Sequence, residues 1–205
     1  MTDTKDKILD TAERLIGEQG YAATSLRHII AEAGVNLAAV HYHFGSKEEL
    51  LDEVVMRKAA LVNPVRLARL DRAEALAGNK PVAVSAVLDA FFAPMVEAAC
   101  AHPEFVRLMG RIHSEGLMPA IAKKHFYSTI DRFVKAFGRA LPDLPESEIL
   151  WRVHFMLGAM AYTMLAPPLF PQIAERETDL EQRLKLLVSF LVAGFCAPPS
   201  QREEK

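Results

Sequence analysis

Apolar residues recur at spacings of three and four along almost the whole chain, and no run alternates strictly with period two. That pattern gives each segment one apolar stripe and predicts an all-α fold, with the Val and Ile clusters lying inside helical stripes rather than strands. Ile8, Leu9, Ala12, Leu15 and Ile16 begin the series behind Thr4 or Thr2 as a cap, and Gly17 and Gly20 end it. Thr24 and Ser25 open a second helix, SLRHIIAEA, which stops at Gly34. Asn36 caps a very short third one, LAAVHYHF, broken at Gly45, and Ser46 with Glu49 has the spacing of a capping box for a fourth. Pro64 is expected to kink or end that fourth helix.

Beyond Gly78-Asn79, Val84, Leu88, Phe91 and Met95 share one helical face. A short helix is expected between His102-Pro103 and the turn at Gly116 to Pro119. Phe126, Ile130, Phe133, Phe137 and Leu141 form the next stripe. Ile149 to Leu165 is apolar nearly all round, which requires burial on more than one side. Leu180, Leu184, Leu187, Leu191 and Phe195 define a last helix. About nine or ten helices are expected, with one visible division near residue 50: residues 1–50 and residues 51–205.

Composition removes several function classes. With 51% hydrophobic and 24% charged residues, the chain is neither disordered nor collagen-like. A net charge of -2 is unsuited to indiscriminate adhesion to nucleic acid or membrane, so a nucleic-acid partner must meet a local patch. Cys100 and Cys196 are far apart and outside any CxxC spacing, which argues against a disulfide framework or a structural zinc. The start, MTDTKDKILD, lacks the apolar core of a secretory signal. The uncharged stretch from Val153 to Ala174 is interrupted by Pro167, Pro168 and Pro171, which leaves less than the about 20 apolar residues a bilayer crossing needs. A soluble, reduced, cytoplasmic protein without a membrane partner is the expectation.

The first 50 residues carry the functional pattern. Two short helices joined at Ala33-Gly34-Val35-Asn36 have the form of a helix-turn-helix. The turn calls for glycine because it needs positive φ or close helix approach. The second of these helices offers Asn36, Leu37, Ala38, Ala39, His41, Tyr42 and His43. Small and polar side chains on a protruding helix suit a major groove, where alanine touches a thymine methyl and histidine meets base edges or phosphate.

Gly20-Tyr21, Thr24-Ser25-Leu26, Ile29-Ile30, Ala33-Gly34-Val35 and the run from Tyr42 to Leu50, YHFGSKEEL, together resemble the N-terminal signature of TetR-family regulators. The resemblance covers roughly residues 8 to 55. The stretch NLAAVHYHFGSKEEL is most similar to a subgroup containing fatty-acid-responsive members, with His41 where the family most often has tyrosine. The resemblance implies a DNA-binding domain followed by a helical effector-binding and dimerisation domain. It places Tyr42 and Lys47 at phosphate-contacting positions, in keeping with a phenol hydroxyl and an ammonium at a helix N-terminus. Thr24 and Ser25 would offer a hydroxyl and backbone N–H groups, and Arg27 a bidentate base or phosphate contact. Within residues 1 to 50, five basic residues face eight acidic ones, so binding should be specific and dimeric rather than broadly electrostatic.

No GxSxG, HExxH, phosphate-loop or dinucleotide fingerprint occurs, and His41 and His43 at i, i+2 point apart on a helix. No catalytic residue, metal or cofactor is therefore expected. The alternative from another class is a helical ligand-binding or enzymatic protein with a vestigial helix-turn-helix. In the remainder, Phe91, Met95, Trp151, Phe155 and Met156 are candidates for an apolar effector pocket, with Arg111, His113, His125 and Arg152 as its polar minority. Dimerisation is expected through Ile149, Val153, Met156 and Met160 together with Leu180, Leu184, Leu187, Leu191 and Phe195, packed as a four-helix bundle. The expectation is a homodimeric repressor. It would bind double-stranded operator DNA and be released by a small hydrophobic effector, a fatty acid or acyl thioester first and an aromatic or drug-like compound next. A rigid fourth helix from Lys47 to Val62 would transmit the signal.

Overall fold

The computed structural model describes residues 4–36, 42–165, 170, 173 and 179–200. Among them the regular elements are all helices: α1 (Thr4–Gln19), α2 (Leu26–Ala33), α3 (Lys47–Ala77), α4 (Val84–Ala101), α5 (Pro103–Ser114), α6 (Met118–His125), α7 (Tyr127–Ala140), α8 (Glu146–Leu165) and α9 (Leu180–Phe195). A helical turn at 42–44 precedes α3, while Leu37, Ala38, Ala39 and His41 lie outside the described residues. The chain divides into two compact units, one of Met1–Val62 with Ala98–Tyr127, the other of Asn63–Glu97 with Ser128–Lys205.

In the first unit α1 packs on α2 and α5. Its core joins Ile8, Ala12, Leu15 and Ile16 of α1 to Ile29 of α2, Leu50 and Val54 of α3, Leu108 and Ile112 of α5 and Ile121 of α6. The N-terminal helices thus share one apolar core with two helices from beyond residue 100. Glu13 is buried among these elements and is ion-paired to Lys58 Nζ at 2.7 Å and to Arg57 Nη2 at 2.9 Å. A buried carboxylate is tolerable only with such partners.

Two sequence expectations change here. Pro64 does not end α3: the helix runs 31 residues from Lys47 to Ala77 with the proline inside it. A proline inside a helix removes one backbone hydrogen bond, a local cost that packing on both sides can outweigh. The short helix before Gly116 is joined by a separate one, α6, so Phe126 closes α6 as its C-cap residue rather than opening the next stripe.

The second unit is built on Phe91, Phe133, Phe137 and Phe195, all but buried. Phe133 meets Phe91 edge-on at 5.0 Å between ring centroids, and Phe137 stacks on Phe195 at 4.2 Å. By length and composition α4 could cross a membrane, with mean hydropathy 1.5, yet half of it is buried in the protein. Leu88 and Phe91 carry that burial, so α4 reads as a core helix.

Helices α8 and α9 pack against each other within this unit. Ile149, Val153 and Met156 of α8 and Leu184, Leu187, Leu191 and Phe195 of α9 are buried there, and Met160 and Leu180 are half-buried. This corrects the expected dimerisation set, whose leucine stripe fills its own unit. The outward apolar face consists of Leu150, Trp151, Phe155 and Tyr162 on α8 with Leu186 and Phe190 on α9, each at least half exposed. Trp151, Phe155 and Tyr162 follow one another at helical spacing, and Gly158 between them has open space where a Cβ would stand.

Candidate nucleic-acid interface

Helix α2 starts where Ser25, in extended backbone, accepts the His28 N–H on its Oγ at 3.1 Å, which satisfies one of the donors a helix N-terminus leaves open. It stops at Gly34, whose φ of 63° is the left-handed conformation of a C-cap. A Cβ on Gly34 would meet nothing within 4 Å, so the backbone angle, not helix crowding, calls for glycine there. Arg27 is exposed on α2 and has no ion-pair partner among the described residues. Asn36 is exposed beyond the turn. Tyr42 is 86% exposed, its ring edge-on to the exposed His43 at 5.2 Å. Arg27, Asn36, Tyr42 and His43 thus offer polar atoms to solvent on and just beyond the two-helix motif.

Two of the expected contact residues are occupied otherwise. Thr24 is fully buried, and its hydroxyl donates inward to the Gly20 carbonyl at 2.7 Å. Its N–H donates to the Tyr21 carbonyl at 3.3 Å, so neither hydroxyl nor N–H is left for an outside partner, which corrects the expected contact. Lys47, half-buried at the start of α3, donates from Nζ to the Tyr21 carbonyl and sits 4.0 Å over the Tyr21 ring. An ammonium held this way braces the turn after α1 and keeps the rest of its three N–H donors for a phosphate.

The turn is held from a second side, which sequence reasoning missed. Glu115, just past α5, accepts the N–H groups of Tyr21 and Ala22 on its two carboxylate oxygens, each at 2.8 Å. Arg111, on the last turn of α5, donates from Nη2 to the Glu18 carbonyl at 2.9 Å, meeting an open acceptor at the end of α1. Tyr21 also donates its hydroxyl to Glu48 at 3.0 Å; burial first, then Glu48 and Glu115, push that phenol up to about 12. Glu48 is correspondingly held below the usual carboxylate range by its own backbone N–H first and by Tyr21 next. No sequence motif marks Glu115, because its partners lie 94 and 93 residues away.

The residues expected to line an effector pocket are divided between the two units. Arg111, His113 and His125 belong to the first, and Phe91, Met95, Trp151, Arg152, Phe155 and Met156 to the second. His113 is exposed, and His125 Nε2 lies 2.6 Å from Asp52 Oδ1 on α3. Arg152 donates to the carbonyls of Phe195, Ala197 and Pro198 and so caps the end of α9. Trp151 and Phe155 face outward, whereas Phe91, Met95 and Met156 are core. Arg111 and Arg152 both donate to carbonyls at helix termini. Among the described residues no group of three or more metal-ligating side chains occurs.

Comparison with known proteins matches residues 8–54 to the bacterial regulatory proteins of the tetR family and residues 89–194, just over half the chain, to the tetracyclin repressor-like C-terminal domain. The regulator LmrA of Bacillus subtilis is 46% identical over 54 residues, 26% of this chain and 29% of that protein. The biofilm operon negative regulator IcaR of Staphylococcus aureus is 39% identical over 51 residues, 25% of this chain and 27% of that protein. The matches to these curated relatives thus cover little more than a quarter of their length. The structure of the fatty acid degradation regulator FadR from Bacillus halodurans superposes with a TM-score of 0.72 at 14% identity, covering 97% of this chain and 99% of that one. That likeness extends the shared fold over the whole chain. With both halves matched, the chain belongs to the TetR family of bacterial transcriptional regulators.

Proposed function

We propose that this chain is a one-component repressor that binds operator DNA as a homodimer through its helix-turn-helix and leaves the operator when a small hydrophobic effector binds its C-terminal part. The observation that carries the reading is the pairing of an open polar surface with a clamped frame. Arg27, Tyr42 and His43 stand exposed, while Arg111 and Glu115 hold the end of α1 and the turn before α2. Phosphate contacts from Tyr42 and Ser25 would set the register, Lys47 would join them through its remaining N–H donors, and Arg27 with the segment 36–43 would read bases. A shift of α5 would act on that frame through Arg111 and Glu115 and so alter its fit to DNA, alongside any signal carried by α3.

Dimerisation is assigned to the outward face of Leu150, Trp151, Phe155, Tyr162, Leu186 and Phe190. A contiguous apolar face on two adjacent helices is what a two-fold four-helix bundle buries. The role of repressor is supported by the negative regulation named for IcaR, and an acyl effector by the function named for the FadR fold neighbour. The test is selection of binding sites from random duplex DNA followed by titration of the selected site with candidate effectors. A selected two-fold site released by an apolar compound supports the reading. Failure to enrich any site favours the vestigial alternative.

A further inference from the structure

Arg66 lies on α3 in the second unit, and its side chain runs into the core rather than out to water: the residue is only 6% exposed. Its Nε donates to the Phe91 carbonyl at 2.8 Å, its Nη2 approaches Met95 Sδ at 3.6 Å, and its guanidinium lies 4.0 Å over the Phe91 ring. These partners are all neutral. Among the described residues no carboxylate pairs with Arg66, and Nη1 donates no hydrogen bond. Three other arginines of the same unit do have carboxylate partners: Arg69 with Glu97, Arg132 with Asp71 and Glu74, Arg139 with Glu74. A buried charge without a counter-charge is among the most expensive features a core can hold. Burial pulls the guanidinium down to about 9, which still leaves it charged at neutral pH.

We propose that Arg66 is the anion-recognition point of the effector site, and that the effector is a hydrophobic carboxylic acid bound as its carboxylate. The inference rests on the effector reading above and names the chemical class for it. The unengaged edge of the guanidinium presents parallel N–H groups in the fork that a carboxylate accepts bidentately. One buried positive charge is balanced by one negative charge, so a carboxylate leaves the core neutral, whereas a phosphate dianion would leave it carrying an excess. The side chains around Arg66 would suit an apolar body: Phe91 meets Phe92 at 5.4 Å and Phe133 at 5.0 Å, and Met95 beside them is adaptable. Phe91 and Met95, both singled out by sequence, therefore converge on a charge that sequence did not single out.

Calorimetric titration of the full chain with decanoate, decanol and decyl phosphate tests this, beside the Arg66→Met and Arg66→Lys variants. Decanoate should bind about 10- to 100-fold more tightly than decanol, and more tightly than decyl phosphate. Arg66→Met should abolish the preference for the acid, and Arg66→Lys should weaken it by losing the fork while keeping the charge. Equal binding of acid and alcohol by the parent, tighter binding of the phosphate, or an undiminished preference in Arg66→Lys would overturn the assignment. If Arg66→Met does not fold, the Arg66→Lys titration decides. Release of a selected operator, followed by fluorescence anisotropy in parallel, separates the two readings. Operator release by decanol as readily as by decanoate would retain the effector reading and remove the Arg66 site. Decanoate binding that depends on Arg66 but leaves DNA in place would do the reverse.

Discussion

The carboxylate of Glu115 grips the backbone of Tyr21, and the N–H of neighbouring Ala22, from 94 residues further along the chain. Two backbone donors at 2.8 Å on one carboxylate make a charge-assisted pair, and each such bond contributes about 1.5–3 kcal/mol, less where water competes. Glu115→Ala is expected to lower stability by about 1–2 kcal/mol. It should weaken operator binding more than that loss explains, because the turn before α2 is freed. Glu115→Gln, which keeps an acceptor, should retain most of both. Thermal melts paired with operator titrations check this; unchanged affinity in Glu115→Ala would break the link between α5 and the DNA-reading motif.

Gly20 provides a second probe of the same clamp. Its φ of 93° is unfavourable for any other residue, and an added Cβ would collide with Glu115 Oε1. Gly20→Ala should therefore cost about 1–2 kcal/mol in strain alone, and combined with Glu115→Ala it should cost less than the sum of the two single changes. A double-mutant cycle read by denaturant unfolding measures the coupling.

On the DNA side, Tyr42 and Lys47 are expected to behave differently. Tyr42→Ala should weaken binding to all sequences without affecting stability, since Tyr42 is 86% exposed. Lys47→Ala should lower the melting temperature as well, because it releases the Tyr21 carbonyl and ring. Arg27→Ala should reduce the salt dependence of binding by about one unit if it contacts phosphate, and relax base preference if it reads an edge. Variants of Tyr42 and Arg27 that bind as well as the parent would refute this docking of the motif.

The two apolar faces of α8 and α9 should separate in mutagenesis. Phe155→Glu or Phe190→Glu is expected to yield folded monomers with poor operator affinity, seen by sedimentation and circular dichroism. Leu187→Glu places an unpaired charge in a buried position and should cost about 3 kcal/mol or more, with loss of the fold. Monomers from Leu187→Glu and dimers from Phe155→Glu would reverse the assignment of the faces.

Why the inward leucine stripe reads as a dimer face in sequence follows from α8 itself. It is apolar on both sides, and a 3.6-residue period marks a stripe without saying whether its own chain or a second copy covers it. By contrast α2 was legible in full: Ser25 before an apolar stripe and Gly34 after it are local signals, and both caps form. Thr24 beside Ser25 looked equally available, yet its hydroxyl turns to Gly20 across a turn whose geometry no propensity encodes. Arg66 escaped notice for the opposite reason. In VNPVRLARLDR it reads as one of several surface arginines, and only the packing of α3 against Phe91 distinguishes it from Arg69.

Acid should loosen both units through their paired carboxylates. Burial would raise Asp52, but hydrogen bonds from Lys124 and His125 and the charges on both hold it below its ordinary 3.8, and Arg132 first, with Arg139, holds Glu74 below its ordinary 4.5. A carboxyl lowered on folding stabilises the native state when ionised, so this contribution is complete above those ordinary values and is lost as pH falls through the lower folded ones. The melting temperature should therefore drop between about pH 5 and pH 3, and Asp52→Asn or Glu74→Gln should flatten that drop. An unchanged slope in both variants would show that these pairs do not set acid stability.

The central claim, a dimer reading a two-fold operator, is tested most directly by nuclease footprinting of a site selected from random duplex DNA, with complex stoichiometry measured by analytical ultracentrifugation. Two protected half-sites whose centres lie about one helical turn apart, or a multiple of it, are predicted, with protomers bound in pairs. A single protected half-site occupied by one protomer, or protection without sequence preference, would contradict it.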